Sequence, residues 1–348
     1  MSARSYIAEA IKKLRDKQDL VLNQASRCIT ALLAGELADD EIIEFLEALA
    51  EKGESEDEIV GAYFALKQRG LHIPNFERPV ADICGTGGSD RVKFPSKFNV
   101  STAAAFVVAS AGVSVTKFGN RGSSNRPGSF DVLDELGCRF GFSVRDFSRV
   151  MGEVGIAFLF APACYPALHA VRSARKKIAR RTIFNIVGPL LNPANPQYQV
   201  IGVTDVYVGE KIAHVLKRLG CVRALVVAGH DGIDELMLTG ISRVWDVSRS
   251  KIFEHGISPS DFSLVSCDER DLRGGAAKQN VEILFDMFTN AEGCESPLGQ
   301  MVAVNAGALL YCSGNAPTIV EGYRQAEILM KSGKAFNKIV QYRRFFGY

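Results

Sequence analysis

A short apolar run, VADIC (residues 80–84), ends in the glycine loop GTGG (85–88), and about ten residues later FNVSTAAAFVVASAG (98–112) begins with polar groups that can open a helix. Strand, bare loop and helix start in that order constrain the chain toward an α/β layer and pose a question about the loop. Glycines let backbone N–H groups approach an anion closely, and a helix start at Asn99 or Ser101 adds unpaired donors and a favourable dipole. The loop suits a phosphate or pyrophosphate. It is not a P-loop, and Gly85, Gly87 and Gly88 do not complete G-x-G-x-x-G. A tight strand-to-helix turn explains the same glycines equally well, so the ligand reading needs support from elsewhere in the chain.

The rest of the chain extends the α/β pattern. Short apolar runs VSVTKF (113–118), ALVVAG (224–229), SRVWDV (242–247) and QMVAVNAGALLY (300–311) read as strand-containing or buried segments. Between them lie longer periodic stretches such as DFSRVMGEVG and GEKIAHVLKRLG, and this alternation predicts a largely parallel sheet flanked by helices. Ligands collect outside the carboxyl ends of such strands. Residues 5 to about 70 differ: Ile42, Phe45, Leu46 and Leu49 share one helix face, and Ser55 with Glu58 forms a capping-box signature. Pro74 and Pro79 break this helical opening, which places the best boundary at 71–79.

Bulk properties narrow the function classes. The formal net charge is +2, with acids and bases nearly balanced, which gives no overall argument for nucleic acid or an acidic membrane. Eight dispersed cysteines without C-x-x-C read as buried thiols in a reducing compartment. The amphipathic start and the lack of a long apolar run predict a cytoplasmic protein.

Three further stretches could carry chemistry. KFGNRGSSNRPGS (117–129) interleaves Lys117, Arg121 and Arg126 with Gly and Ser, the composition of a loop that wraps a multiply charged ligand or of a plain solvated loop. Six basic residues lie between 172 and 181, and helical spacing gathers Arg172, Arg175 and Lys176. They form either a solvated face or a source of a planar guanidinium for a carboxylate; the run lacks the interleaved aromatics of a nucleic-acid surface. In GHDGIDELML (229–238), the adjacent acids Asp234 and Glu235 could gather a hard cation such as Mg²⁺, or could simply be exposed.

Taken together these parts resemble the anthranilate phosphoribosyltransferases, enzymes of tryptophan synthesis that join anthranilate to phosphoribosyl pyrophosphate. The resemblance runs through nearly the whole chain: GELADDEIIEFLEALAEKGESEDEI, DICGTGG, FNVSTAAAF, KFGNR, GSFDVLDELG, FLFAP, RRTIFNIVGPLLNP, IGV and GIDEL, in order. It implies a small helical domain over 1–73, with helices near 165–180 returning to it, and an α/β catalytic domain over 76–348 that binds phosphoribosyl pyrophosphate. It further implies that Gly85, Gly88, Ser89, Asn99, Val100, Ser101, Thr102, Lys117, Asn120, Arg121, Ser124 and Ser129 contact the donor. Gly85, Asn120, Arg175, Phe118 and Tyr165 would line the acceptor path, with Arg175 clamping the carboxylate. Ser101, Asp234 and Glu235 would hold Mg²⁺, no covalent nucleophile would be needed, and the protein would be a homodimer.

Several positions depart from the family pattern. Phe118 and Tyr165 stand where the family usually has histidines, Ser89 stands where it has Asp, DRVKFPSK is inserted before NVST, and Arg126 with Pro127 replaces a Lys-Ser pair. The two aromatic replacements fall on the acceptor side. Two alternatives accordingly stand beside anthranilate transfer: a phosphoribosyltransferase for another aromatic amine, and a binding protein that keeps the fold without turnover.

Overall fold

In the computed structural model, which describes residues 2–74, 76–87, 98–122, 127–141, 143–178 and 180–347, with only the backbone at Asp231, the chain opens on four helices. These are α1 (Ala3–Arg15), α2 (Leu22–Leu33), α3 (Asp39–Lys52) and α4 (Glu56–Lys67). The α3 face read from the sequence is buried at Ile42, Phe45, Leu46 and Leu49. The capping box also forms: Ser55 Oγ accepts from Glu58 N at 3.3 Å, and Glu58 Oε2 accepts from Ser55 N at 2.7 Å. Glu58 is fully buried and fully used, its other oxygen accepting from Leu20 N at 2.9 Å while Lys52 Nζ pairs at 3.0 Å. Packing is tight where α2 meets α4, since a Cβ on Gly61 would lie 2.6 Å from Leu22 O.

The α/β part follows as β1 (Val80–Gly85), α5 (Val100–Ser110), β2 (Ser114–Gly119), α6 (Ser129–Glu135), α7 (Val144–Glu153) and β3 (Ile156–Phe160). Short helices α8 (Ala161–Cys164), α9 (Arg172–Lys177) and α10 (Ile183–Val187) lead into β4 (Tyr198–Gly202), α11 (Val206–Arg218), β5 (Arg223–Ala228), β6 (Ser242–Ser248) and β7 (Ile252–Ile257). The chain closes with α12 (Ala277–Thr289), α13 (Ala291–Glu295), α14 (Pro297–Cys312), α15 (Ile319–Lys331) and α16 (Lys334–Phe345).

One seven-stranded sheet carries the order β3-β2-β1-β4-β5-β6-β7. Its first five strands run parallel, and β6 and β7 join antiparallel at one edge. The expected architecture, a small helical domain with a large α/β domain on a mostly parallel sheet, is the one observed. Strand order reverses at β1, which pairs with β2 on one side and β4 on the other, so a crevice opens at its carboxyl end, where GTGG begins.

QMVAVNAGALLY is not a strand but the buried helix α14, packed with α5 and α15. Every residue from Met301 to Leu310 is buried, so no polar face marks the helical period, and close packing replaces it: a Cβ on Gly307 would stand 2.3 Å from Tyr323 N. Helix α9 lies against α3, with Ser173 Oγ and Lys177 Nζ donating to Asp39 Oδ2 at 2.7 and 2.8 Å. Among the described residues no helix is long and apolar enough to cross a membrane.

Candidate active site

At the carboxyl ends of β1 and β2 lies a cavity of about 370 Å³, bounded by Gly85–Gly87, Phe118–Gly122, Tyr165, Arg175 and the Gly188–Leu191 segment. It brings together Gly85, Phe118, Asn120, Tyr165 and Arg175, the five residues expected on the acceptor path, with Arg121 at its margin. Arg175 projects from α9 and its guanidinium lies 5.1 Å from the ring centroid of Phe184. Burial lowers its pKa from the ordinary value, and among the described residues no carboxylate pairs with it. Three of its neighbours in the basic run reach acids: Lys177 reaches Asp39, Arg180 reaches Glu51 at 3.3 Å, and Arg181 reaches Glu54 at 3.6 Å. Those acids belong to the helical domain, so half of the basic run docks helices; Arg172 and Lys176 are exposed, and Arg175 is the member that lines the cavity.

Phe118 and Tyr165 meet edge to face, with centroids 6.0 Å apart and planes at 74°. Tyr165 is 1% exposed, and its hydroxyl donates to Leu191 O at 2.5 Å. Gly70, at the end of the helical domain, leaves the ring its space: a Cβ there would lie 2.3 Å from Tyr165 Cε1. Asn120 Oδ1 accepts from Arg121 N at 2.8 Å. The Arg121 guanidinium turns to α6, where it pairs with Asp131 at 3.1 Å and with Asp134.

A buried polar chain supports the floor. Lys117 Nζ donates to Ile83 O at 2.8 Å and to Ser101 Oγ at 3.0 Å. Burial lowers the Lys117 pKa, and the carboxylates of Asp82, Glu235 and Asp234 act against that shift. Asp82, wholly buried, accepts from Phe118 N at 3.3 Å and from Asn192 Nδ2 at 2.9 Å. Burial pushes its pKa up to about 6, while Lys117 and those two donors pull the other way. Asn192 O in turn accepts from Lys67 Nζ of α4 at 2.8 Å. Sequence reasoning missed Asp82, Asn192 and Lys67 as parts of the site; an acid inside the apolar run VADIC was the one available signal.

Beside the GTGG loop, Asp234 and Glu235 are 8% and 9% exposed. Asp234 Oδ2 accepts from Gly87 N at 3.0 Å. A Cβ on Gly85 would meet the same oxygen at 2.2 Å, and one on Gly202 would collide with Asp234 O, so glycines on two strands make room for this acid. Glu235 and Val100 line one small neighbouring cavity. Asn99 occupies the N-cap position of α5 but makes no side-chain cap bond; its Oδ1 accepts from Asn280 Nδ2 at 2.9 Å and its Nδ2 donates to Pro127 O at 3.4 Å. Ser101 is likewise not the cap, lying inside α5, whose buried first turn includes Thr102. Ser129 begins α6 next to Gly119. Gly88, Ser89 and Ser124, with the 89–97 insertion and Arg126, fall outside the described residues, apart from Pro127 at the loop's end.

Comparison with known proteins follows the same division. Residues 8–70 match the family described as "Glycosyl transferase family, helical bundle domain", and residues 77–336 the one described as "Glycosyl transferase family, a/b domain". The anthranilate phosphoribosyltransferase of Methanocorpusculum labreanum is 38% identical over 334 residues, 96% of either chain. The crystal structure of the anthranilate phosphoribosyltransferase from Thermus thermophilus superimposes with a TM-score of 0.89 at 34% identity, over 97% of this chain and 99% of that one. The Saccharomyces cerevisiae enzyme in complex with PRPP and Mg gives 0.86 at 23% identity over 98% of each chain, a likeness of fold. Since the likeness runs in order through the helical bundle, the sheet and the loops that shape the cavity, the chain belongs to the anthranilate phosphoribosyltransferase family.

Proposed function

We propose that this protein transfers the phosphoribosyl group of phosphoribosyl pyrophosphate to anthranilate and releases pyrophosphate, a step of tryptophan biosynthesis. The observation that carries this reading is Arg175: a half-buried guanidinium without a carboxylate partner among the described residues, in an aromatic-lined cavity beside a glycine loop. A planar fork of donors suits the carboxylate of an aromatic acid. Bound there, anthranilate presents a neutral aromatic amine toward the donor. The new bond forms between that nitrogen and C1 of the ribose, the C1–oxygen bond breaks with its electron pair leaving on pyrophosphate, and the amine proton goes to solvent.

The chain's own groups supply position and charge. Backbone N–H groups at the start of α5 meet the pyrophosphate, and the Lys117 ammonium, fixed by Ile83 O and Ser101 Oγ, sets a positive field beneath them. Asn120, with its oxygen held by Arg121 N, keeps its amide donors for donor or acceptor.

The carboxylates fit Mg²⁺. Asp234 and Glu235 are hard oxygen donors held beside the loop where the phosphates lie, and among the described residues no third His, Cys, Asp or Glu joins them. Two carboxylates with water and phosphate oxygens completing the shell is the usual arrangement for this ion. Ser101 Oγ has one lone pair taken by Lys117 and one left for the ion or its water. When bound, Mg²⁺ neutralises charge on the leaving pyrophosphate. A division into 1–73 and 76–348, a homodimeric assembly and a cytoplasmic location complete the reading, all supported by the family resemblance.

The test is pyrophosphate release from phosphoribosyl pyrophosphate and Mg²⁺, with and without anthranilate, followed alongside anthranilate fluorescence. Release that requires anthranilate is expected. Donor binding without anthranilate-dependent release would overturn the assignment and favour a second reading, another aromatic amine acid, for which the Phe118–Tyr165 wall is the specific reason.

A further inference from the structure

One side of the acceptor cavity offers a ligand no free hydrogen-bond donor. Phe118 and Tyr165, 6% and 1% exposed, form it, and every donor they carry is engaged. The Tyr165 hydroxyl is used by Leu191 O, its N–H by Ala161 O at 2.9 Å and its carbonyl by Leu168 N at 3.1 Å, while Phe118 N–H is used by Asp82. The rings cannot turn to offer anything else. Gly70 lies against the Tyr165 ring, Leu71 N donates to Cys164 O at 2.7 Å beside it, and Asp82 holds the Phe118 backbone. Of the other polar side chains at the cavity, Asn185 uses its Oδ1 to accept from Thr182 N at 3.1 Å, and Arg121 pairs with Asp131 and Asp134. Among the described residues, that leaves Asn120, Asn185 and Arg175 with donors to spare, and none of them belongs to the aromatic wall.

We propose that Phe118 and Tyr165 together set acceptor specificity, admitting aminobenzoates whose ring edge toward them carries hydrogen, alkyl or halogen and disfavouring those with a hydroxyl there. The inference rests on the phosphoribosyl transfer proposed above and adds the class of aromatic acid that the site takes. A hydroxyl entering this wall loses its water and gains no partner, whereas a methyl or halogen loses nothing. An apolar pocket rejects an added hydroxyl only moderately, so the expected discrimination is about 10- to 100-fold in kcat/KM.

The experiment compares the wild-type protein on anthranilate and on matched methyl- and hydroxyanthranilates substituted at each ring position, with phosphoribosyl pyrophosphate saturating. At the position facing the wall, the methyl compound should stay within a few-fold of anthranilate and the hydroxyl compound should fall by one to two orders of magnitude. Phe118→His and Tyr165→Phe, the second of which frees Leu191 O as an acceptor, should each narrow that gap while leaving the KM for phosphoribosyl pyrophosphate unchanged. Equal use of methyl and hydroxyl compounds at every position by the wild type would overturn the inference alone. Failure to turn over anthranilate itself would overturn the proposed function, and the inference with it.

Discussion

Arg175→Ala should separate acceptor recognition from everything else the protein does. The guanidinium is already stripped of much of its water, its pKa is lowered by burial alone, and no carboxylate among the described residues competes for it. The desolvation cost is therefore met before the acceptor arrives, and an incoming carboxylate gains a charge-assisted bond worth about 1.5–3 kcal/mol. At 1.36 kcal/mol per decade, that is a loss of roughly 10- to 160-fold in kcat/KM for anthranilate. Arg175→Lys keeps the charge but not the fork, and should fall between. Folding stability should change little, because losing the stack on Phe184, about 0.5–2 kcal/mol, is offset by relief of the buried charge. Initial rates should be measured with anthranilate and with anthranilamide, which lacks the carboxylate, at saturating donor. The variant and the wild type should differ on the first and match on the second. Equal losses on both, or no loss on anthranilate, would refute the clamp.

Replacing Asp234 and Glu235 by Asn and Gln together should raise the Mg²⁺ concentration for half-maximal rate at least about tenfold, read from a magnesium titration of pyrophosphate release. Gly85→Ala places a Cβ 2.2 Å from Asp234 Oδ2 and should cost about 100-fold in kcat with a small change in melting temperature; undiminished turnover would show that Asp234 need not stay where it is. Lys67 supplies a pH test: burial pulls its pKa down to about 8 from 10.5, so between those values the unfolded chain binds more protons than the folded one. Its contribution to stability therefore rises with pH across that window, and the wild-type minus Lys67→Met difference in unfolding free energy should climb from pH 8 to 10.5, whereas a flat difference would reject the burial effect.

Features written in contiguous residues were legible before any coordinates. The capping box of α4 and the buried face of α3 depend on residues three or four apart, and the glycine loop after β1 depends on one run of sequence. Strands β1, β2, β5 and β6 stood out because buried strands read as short apolar runs. The edge strand β7 did not, since IFEHGI is largely exposed and carries polar residues. Helix α14 misled for the opposite reason, because a helix buried on all sides loses its period.

The site itself was harder to read, because its decisive contacts join distant parts of the chain. From spacing alone, six basic residues at 172–181 are equivalent; in the fold the acids of α3 and the turn after it take Lys177, Arg180 and Arg181, Arg172 and Lys176 are exposed, and Arg175 lines the cavity. The floor has the same character. Lys67 meets Asn192 across 125 residues, and Asn192 meets Asp82 across 110. Asp82 then holds the Phe118 backbone, so the helical domain is tied through Lys67 and two buried side chains to one ring of the acceptor wall. Gly70 and Tyr165 tie it to the other ring. Both rings thus owe their positions to the bundle that carries no chemistry of its own, and acceptor recognition requires the bundle to be docked on the α/β domain. The donor loops, by contrast, follow β1 and β2 directly in the chain, which is why their sequences already suggested a polyanion while the acceptor's identity needed the fold.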